Sequence, residues 1–203
     1  MTRAIVLREL GGPDNLVIED VELRAPGPGE VQVRHTGIGV NFIDTYFRRG
    51  LYPIKLPAII GDQATGVIEA LGPEAKGFKV GDRIGYGSAG PSYVEARVMK
   101  AESIVHLPDA IADDVVAASL TRGMTAEYLL FRLHELTAGE TVIVHAATGG
   151  TGLMVCQWAK DIGATVIATV GAENKFEMAR EAGADHVLLH SADDFVARVK
   201  EES

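Results

Sequence analysis

The chain has 203 residues, 47% of them hydrophobic, which is enough apolar material for one large domain or two small ones. Its formal charge of −9 argues against nucleic acid as a main partner, because phosphate binding needs a basic face. The single cysteine, Cys156, excludes an internal disulfide and a thiolate zinc cluster, and no apolar run approaches a signal-peptide core or a membrane span, so a cytoplasmic protein is expected.

In chain order, residues 1–125 read mostly as β. Residues 4–7 are a predicted strand, 11–14 a turn, and 16–22 an alternating segment. The Pro26-Gly-Pro-Gly29 turn leads into residues 30–34, where Val31 and Val33 share one face and Gln32 and Arg34 the other. Residues 41–47 are predicted helical, stopping near Gly50. Strands resume at 58–60 and 66–71 with Gly61 between them, then at 80–86 and 92–99. Many short strands punctuated by Gly and Pro predict a barrel-like or sandwich domain.

The character changes near Asp113. Residues 113–136 are helix-forming, with Gly123 the one turn residue, and 137–140 form a loop. A β-branched run at 141–144 precedes a Gly-rich turn, a helix over 153–162 stopped by Gly163, and a second buried-strand run at 165–169. This is a βαβ unit. The turn reads as G-x-G-x-x-G with Ala147, Gly149 and Gly152 in the three key positions. The second glycine lets the backbone approach a pyrophosphate, and the third lets helix and strand pack closely. The helix start then offers N–H groups to the anion. A bare tight turn is the alternative. A P-loop is excluded, because no Lys-Ser/Thr pair follows the last glycine. A helix over 174–182 stopped by Gly183, a strand at 186–189, and a capping-box pattern at Ser191-Ala-Asp-Asp194 complete the chain. Cys156 and Trp158 read as packing residues.

Several motifs together carry a family likeness. They are Gly11-Gly-Pro13, Gly39-Val-Asn-Phe-Ile-Asp-Thr-Tyr46, Gly50-Leu-Tyr52-Pro53, Gly81-Asp-Arg83 and His145-Ala-Ala-Thr-Gly-Gly-Thr-Gly152, extended by Gln157-Trp-Ala-Lys160 and Gly183-Ala-Asp185. Over essentially its whole length the chain resembles the medium-chain dehydrogenase/reductase superfamily, in its quinone oxidoreductase (zeta-crystallin-like) branch. The resemblance implies an α/β fold, with a GroES-like β-rich catalytic domain at 1–125 followed by a Rossmann domain at 126–203. It implies an NADPH:quinone oxidoreductase acting on a quinone and, at full length, a homodimer. The alternatives are a non-enzymatic, crystallin-like NADPH-binding protein, and an enone or enoyl reductase of the same superfamily.

Zinc-dependent relatives carry Gly-His-Glu where this chain has Gly61-Asp62-Gln63, and a cysteine where it has Asn41. Zinc needs N or S ligands, so a metal-free site is expected, with hydrogen-bond donors meeting the charge that develops on substrate. The resemblance makes Tyr46 and Tyr52 the catalytic candidates, with phenols that can donate to a quinone oxygen or to the cofactor; packing is the plainer role. Asn41, Asp44 and Tyr46 are implied to position the cofactor, Asn41 and Asp44 alternatively capping their helix. Thr125 and Tyr128 are implied to touch it, and Gly149, Gly150 and Thr151 to hold its phosphates.

Val170-Gly171-Ala172 follows the second strand, with no acid at the tip to bind a ribose 2′-OH. Gly171 therefore joins the cofactor set. Lys175 follows, as in NADPH-dependent relatives, and can pair with a 2′-phosphate. Glu173 pulls the other way. His190 stands where the family usually has Tyr, and an imidazole that carries a proton can serve the same end. A complete Rossmann sheet has six strands, and only three are legible here. The expectation is a fragment of a longer oxidoreductase that, alone, binds NADPH weakly and turns over quinone poorly unless a partner chain fills the gap.

Overall fold

The computed structural model describes residues 1–191 and 195–202. It falls into two units, Met1–Thr121 and Arg122–Ser203. The first contains β1 (Thr2–Leu7), β2 (Leu16–Val21), β3 (Glu30–Gly39), α1 (Phe42–Arg49), β4 (Ala58–Ile59), β5 (Gln63–Leu71), β6 (Arg83–Gly87), β7 (Ala96–Lys100) and β8 (Val105–His106). They form a five-stranded antiparallel sheet, β7-β3-β5-β6-β8, and a three-stranded sheet, β2-β1-β4.

The expected alternation builds the core. Val31 and Val33 are fully buried among Ala64, Ile68, Ile84 and Tyr86. Gln32 and Arg34 emerge on the other face, where both donate to Glu69 of β5, at 3.0 and 2.9 Å.

Three strand expectations are corrected. β3 runs to Gly39, five residues past the predicted end at residue 34, because register shifts at Gln32/Val33 and His35/Gly37 scramble the alternation while pairing continues. Residues 80–82 belong to a turn, with Gly81 at φ 93° and the Asp82 carboxylate accepting the Lys79 N–H at 2.9 Å. Residues 92–95 do not extend β7; only Val94 among them makes a bridge, to Ala4. Gly50 ends α1 in the left-handed conformation that glycine adopts without a Cβ clash.

His35, partly buried, and Tyr86, fully buried, form a polar pair at this core. His35 Nδ1–H donates to Val94 O at 2.6 Å, so its Nε2 accepts the Tyr86 hydroxyl at 2.8 Å. Burial pushes the imidazole down to about 4, with Arg97 adding to the effect. A depressed folded-state value gives stability that is present above the unfolded value and lost as pH falls through the folded one. Stability should therefore decline from about pH 6.5 towards pH 4, by up to about 3 kcal/mol. Urea titrations of His35→Gln between pH 7.5 and 4.5 should show this part of the acid limb flattened; an unchanged limb would assign it to other groups.

Helix α2 (Asp113–Glu127) leads from the first unit into the second. The continuous helix expected over 113–136 is corrected. α2 gives way to a π-helical segment, Tyr128–Leu133, and the chain then leaves the helix, with Leu136 N–H bonding to Leu130 O at 3.0 Å. Helix propensity does not distinguish i→i+4 from i→i+5 bonding.

The second unit continues with β9 (Thr141–Val144), α3 (Gly150–Ile162), β10 (Thr165–Val170), α4 (Phe176–Glu181), β11 (His186–Leu189) and α5 (Phe195–Glu202). Its sheet is parallel, in the order β11-β10-β9. Among the described residues β9 pairs with β10 alone. Val166, Ala168 and Val170 of β10 pack with Cys156 and Ala159 of α3, and burial raises the Cys156 thiol to about 11, the state of a packing residue. α3 starts at Gly150, three residues before the predicted start, because close packing requires the glycines that look like turn residues in sequence. Helix 174–182 is shorter than expected, a 3₁₀ turn at Glu173–Lys175 preceding α4. The capping-box positions 192–194 lie outside the described residues.

Candidate functional site

Two groups of residues can take part in chemistry, one in each unit. In the first unit the group gathers around the start of α1. Asn41 is its N-cap, in extended conformation, and Asp44 at N3 accepts the Asn41 N–H at 2.8 Å. Asp44 is 4% exposed and also accepts the Tyr93 hydroxyl at 2.8 Å. Asn41 Nδ2 donates to Gln63 Oε1 at 3.3 Å. Gln63, 1% exposed, takes the Thr121 N–H at 3.1 Å and donates to Val116 O at 3.1 Å and to Ala117 O. One chain of hydrogen bonds thus ties Tyr93, α1, β5 and α2, and fixes the direction in which α1 presents its side chains.

Those side chains are aromatic. Tyr46 is half-buried on α1 and Tyr52 lies exposed in the turn after it. Their rings meet edge-on at 5.5 Å, Phe42 lies 5.3 Å from Tyr46, and Phe47 lies 5.5 Å from Tyr52. The structure therefore brings Asn41, Asp44, Tyr46 and Tyr52 into one cluster, with Phe42 and Tyr52 open to solvent. Asp62 stands nearby. Burial, then the Asp44 carboxylate, raises its carboxyl above the usual range, while Ser88 opposes the shift. Burial, then its bond to Asp44, raises the Tyr93 phenol as well.

These residues do not fit a zinc ion. Asn41 and Gln63 are amides already bonded to each other and to α2, and neither imidazole nor thiolate stands beside them. Among the described residues no group of three His, Cys, Asp or Glu is placed to hold a metal. Elemental analysis should find no stoichiometric zinc, and chelators should leave activity unchanged; one zinc per chain on which activity depends would overturn this.

In the second unit the group lies at the carboxyl ends of the parallel strands, where open α/β sheets bind ligands. Gly149 is the N-cap of α3, while Gly150 and Thr151 begin the helix. A Cβ on Gly152 would collide with Ala146 O and come within 2.8 Å of Ala147 Cα, so glycine is needed for α3 to sit this close to the end of β9. The residues therefore fit a dinucleotide phosphate. Gly171 follows β10 with open space about its Cα, and Lys175 is exposed in the 3₁₀ turn beyond it. His190 follows β11. Its ring lies edge-on to His145 at 6.1 Å, and His145 Nδ1 lies 3.0 Å from Thr169 Oγ1. Thr125 is exposed on α2, and Tyr128, also exposed, opens the π-helical segment.

The sequence reading missed the tertiary parts of the site. Tyr93 carries no motif, and its partner Asp44 lies 49 residues away. Gln63 was visible as the last residue of Gly61-Asp62-Gln63, but its bonds to Asn41 and α2 were not.

Residues 27–141 match the alcohol dehydrogenase GroES-like domain family, and residues 150–203 match the zinc-binding dehydrogenase family. The quinone oxidoreductase of Pseudomonas aeruginosa is 45% identical over 99% of this chain and 62% of its own length. A 2-haloacrylate reductase from Burkholderia sp. is 42% identical over 99% of this chain and 62% of its own. The crystal structure of Escherichia coli quinone oxidoreductase complexed with NADPH superposes with a TM-score of 0.92 at 38% identity, covering 98% of this chain and 62% of that one. The chain thus spans somewhat under two thirds of these relatives. The chain belongs to the alcohol dehydrogenase GroES-like domain family and is similar to quinone oxidoreductases over nearly its whole length.

Proposed function

We propose that the protein is an NADPH:quinone oxidoreductase that works without zinc. The observation that carries this reading is the start of α3, where Gly149 caps the helix and Gly152 brings it against the end of β9. Amides of Gly150 and Thr151 hold the pyrophosphate, Lys175 and His190 take the 2′-phosphate, and Gly171 leaves room for the ribose. Thr125 and Tyr128 are further contacts to the cofactor. When bound, NADPH supplies a hydride. The chain's own part is to orient and to stabilise charge. Tyr46 and Tyr52 donate hydrogen bonds to the quinone oxygens as negative charge develops there, and the aromatic cluster of Phe42, Tyr46, Phe47 and Tyr52 offers faces and edges to a flat ring. Asn41 and Asp44 hold α1 in register for this. A cytoplasmic, homodimeric full-length protein belongs to the same reading.

The similarity to a 2-haloacrylate reductase supports a second reading, reduction of an activated carbon–carbon double bond. A panel of small quinones run against a panel of enones, followed by NADPH oxidation, separates the two. The first reading expects quinones to react faster; faster enones would favour the second. Tight NADPH binding with no oxidation on either panel would leave a non-enzymatic, crystallin-like binder.

A further inference from the structure

His145, Gly171 and His190 are the first residues beyond β9, β10 and β11, and β10 is the middle strand of the three. The two imidazoles therefore flank the end of β10. Between them, nothing lies within 4 Å of a Cβ built on Gly171. Neighbouring strands run about 4.8 Å apart, so positions on either side of β10 start about 10 Å from each other. The rings are closer, with 6.1 Å between centroids and 84° between planes. Both lean in over the end of the strand. Bonds to β10 hold them there. The His190 N–H donates to Val170 O at 2.9 Å, and His145 Nδ1 lies 3.0 Å from Thr169 Oγ1. A hydroxyl both donates and accepts, so the second contact survives protonation of the ring.

Imidazole is the side chain that ordinarily changes charge between pH 5 and 8. Two protonated rings at this separation repel one another. An anion held by both removes the repulsion and accepts a charge-assisted bond from each. The neighbouring elements bring other charges. The turn after β10 carries Glu173 and Lys175, one of each sign, and α2 brings Arg122, over Gly150 at the start of α3. β11 carries His186 at its opposite end, paired with Glu202 of α5 at 2.7 Å. We infer that His145 and His190 together bind the cofactor's 2′-phosphate in their protonated state, so that the preference for NADPH over NADH widens as pH falls. The inference rests on the dinucleotide reading of the turn. It adds His145 to the site and divides the labour within it: Lys175 sets a preference for the 2′-phosphate, and the imidazole pair makes that preference follow pH.

Calorimetry of the wild-type chain at pH 7.5, in two buffers of different ionisation enthalpy, tests this without a variant. NADPH binding should take up protons and NADH binding none. A phosphate monoester loses its second proton near pH 6, so uptake at pH 7.5 belongs to the protein. Fluorescence titrations at pH 6.5 and 8.5 then assign the groups. NADPH should weaken about tenfold across this range, the lower end of what one charge-assisted hydrogen bond supplies, while NADH hardly changes. His145→Gln and His190→Gln should each remove part of the pH dependence, and the double variant all of it. Thermal melts of the cofactor-free variants check that they fold; if His145→Gln does not, His145→Asn keeps an amide for Thr169 and takes its place. NADPH bound without proton uptake, a preference that ignores pH, a pH dependence kept in the double variant, or one untouched by the change at His145 would each overturn the inference and leave the dinucleotide reading standing. If the wild-type chain bound neither cofactor, the dinucleotide reading itself would fall, and the inference with it.

Discussion

Replacing Gln63 with leucine should destabilise the first unit by about 2–4 kcal/mol, and replacing it with glutamate should cost at least as much at neutral pH. Gln63 is 1% exposed and bonds in two directions: Oε1 accepts from Asn41 and Thr121, and Nε2 donates to the carbonyls of Val116 and Ala117. Leucine keeps roughly the same bulk but pairs with none of them, and each buried group left unpaired costs about 1–3 kcal/mol. Glutamate sets a carboxylate oxygen against two carbonyl oxygens in a buried site. Its folded-state carboxyl would therefore titrate above the unfolded one, so the stability of Gln63→Glu should recover as pH falls and the acid becomes a donor. Urea midpoints at pH 7.5 and 5 measure both effects. Midpoints like wild type for both variants would mean that the bonds from β5 to α1 and α2 contribute nothing measurable.

Lys175→Glu should weaken NADPH by about ten- to a hundredfold and NADH by much less, since a charge-assisted hydrogen bond is worth about 1.5–3 kcal/mol. The strand before it ends in Val170-Gly171-Ala172, without the acid that would select a ribose 2′-OH, and the exposed Lys175 lies in the turn that follows. Glu173 opens the same 3₁₀ turn. Charge reversal at 175 leaves that turn with two acids, so the discrimination should move towards NADH. Equal losses for both cofactors would place Lys175 away from the 2′-phosphate.

What was legible in the sequence was local. Val31 and Val33 announced an inward face because strand side chains alternate. Gly50 and Gly163 marked helix ends because both take positive φ. The run from Thr141 through the glycines to Thr169 declared a βαβ unit by the change of period from strand to helix. What stayed hidden depends on contacts distant in sequence or on broken patterns. The far half of β3 was masked by its bulges, and the π-helical segment after α2 by ordinary helix formers. The bonds of Tyr93 to Asp44 and of Gln63 to Thr121 join residues 49 and 58 positions apart, so no periodicity carries them.

The central claim is that the turn at the start of α3 is a dinucleotide site that favours the 2′-phosphate. Titrating NADPH and NADH into the protein, with binding read from nicotinamide fluorescence, tests it most directly. NADPH should bind at least about tenfold more tightly than NADH, the lower end of what one charge-assisted hydrogen bond supplies. No binding of either cofactor, or tighter binding of NADH, would contradict it.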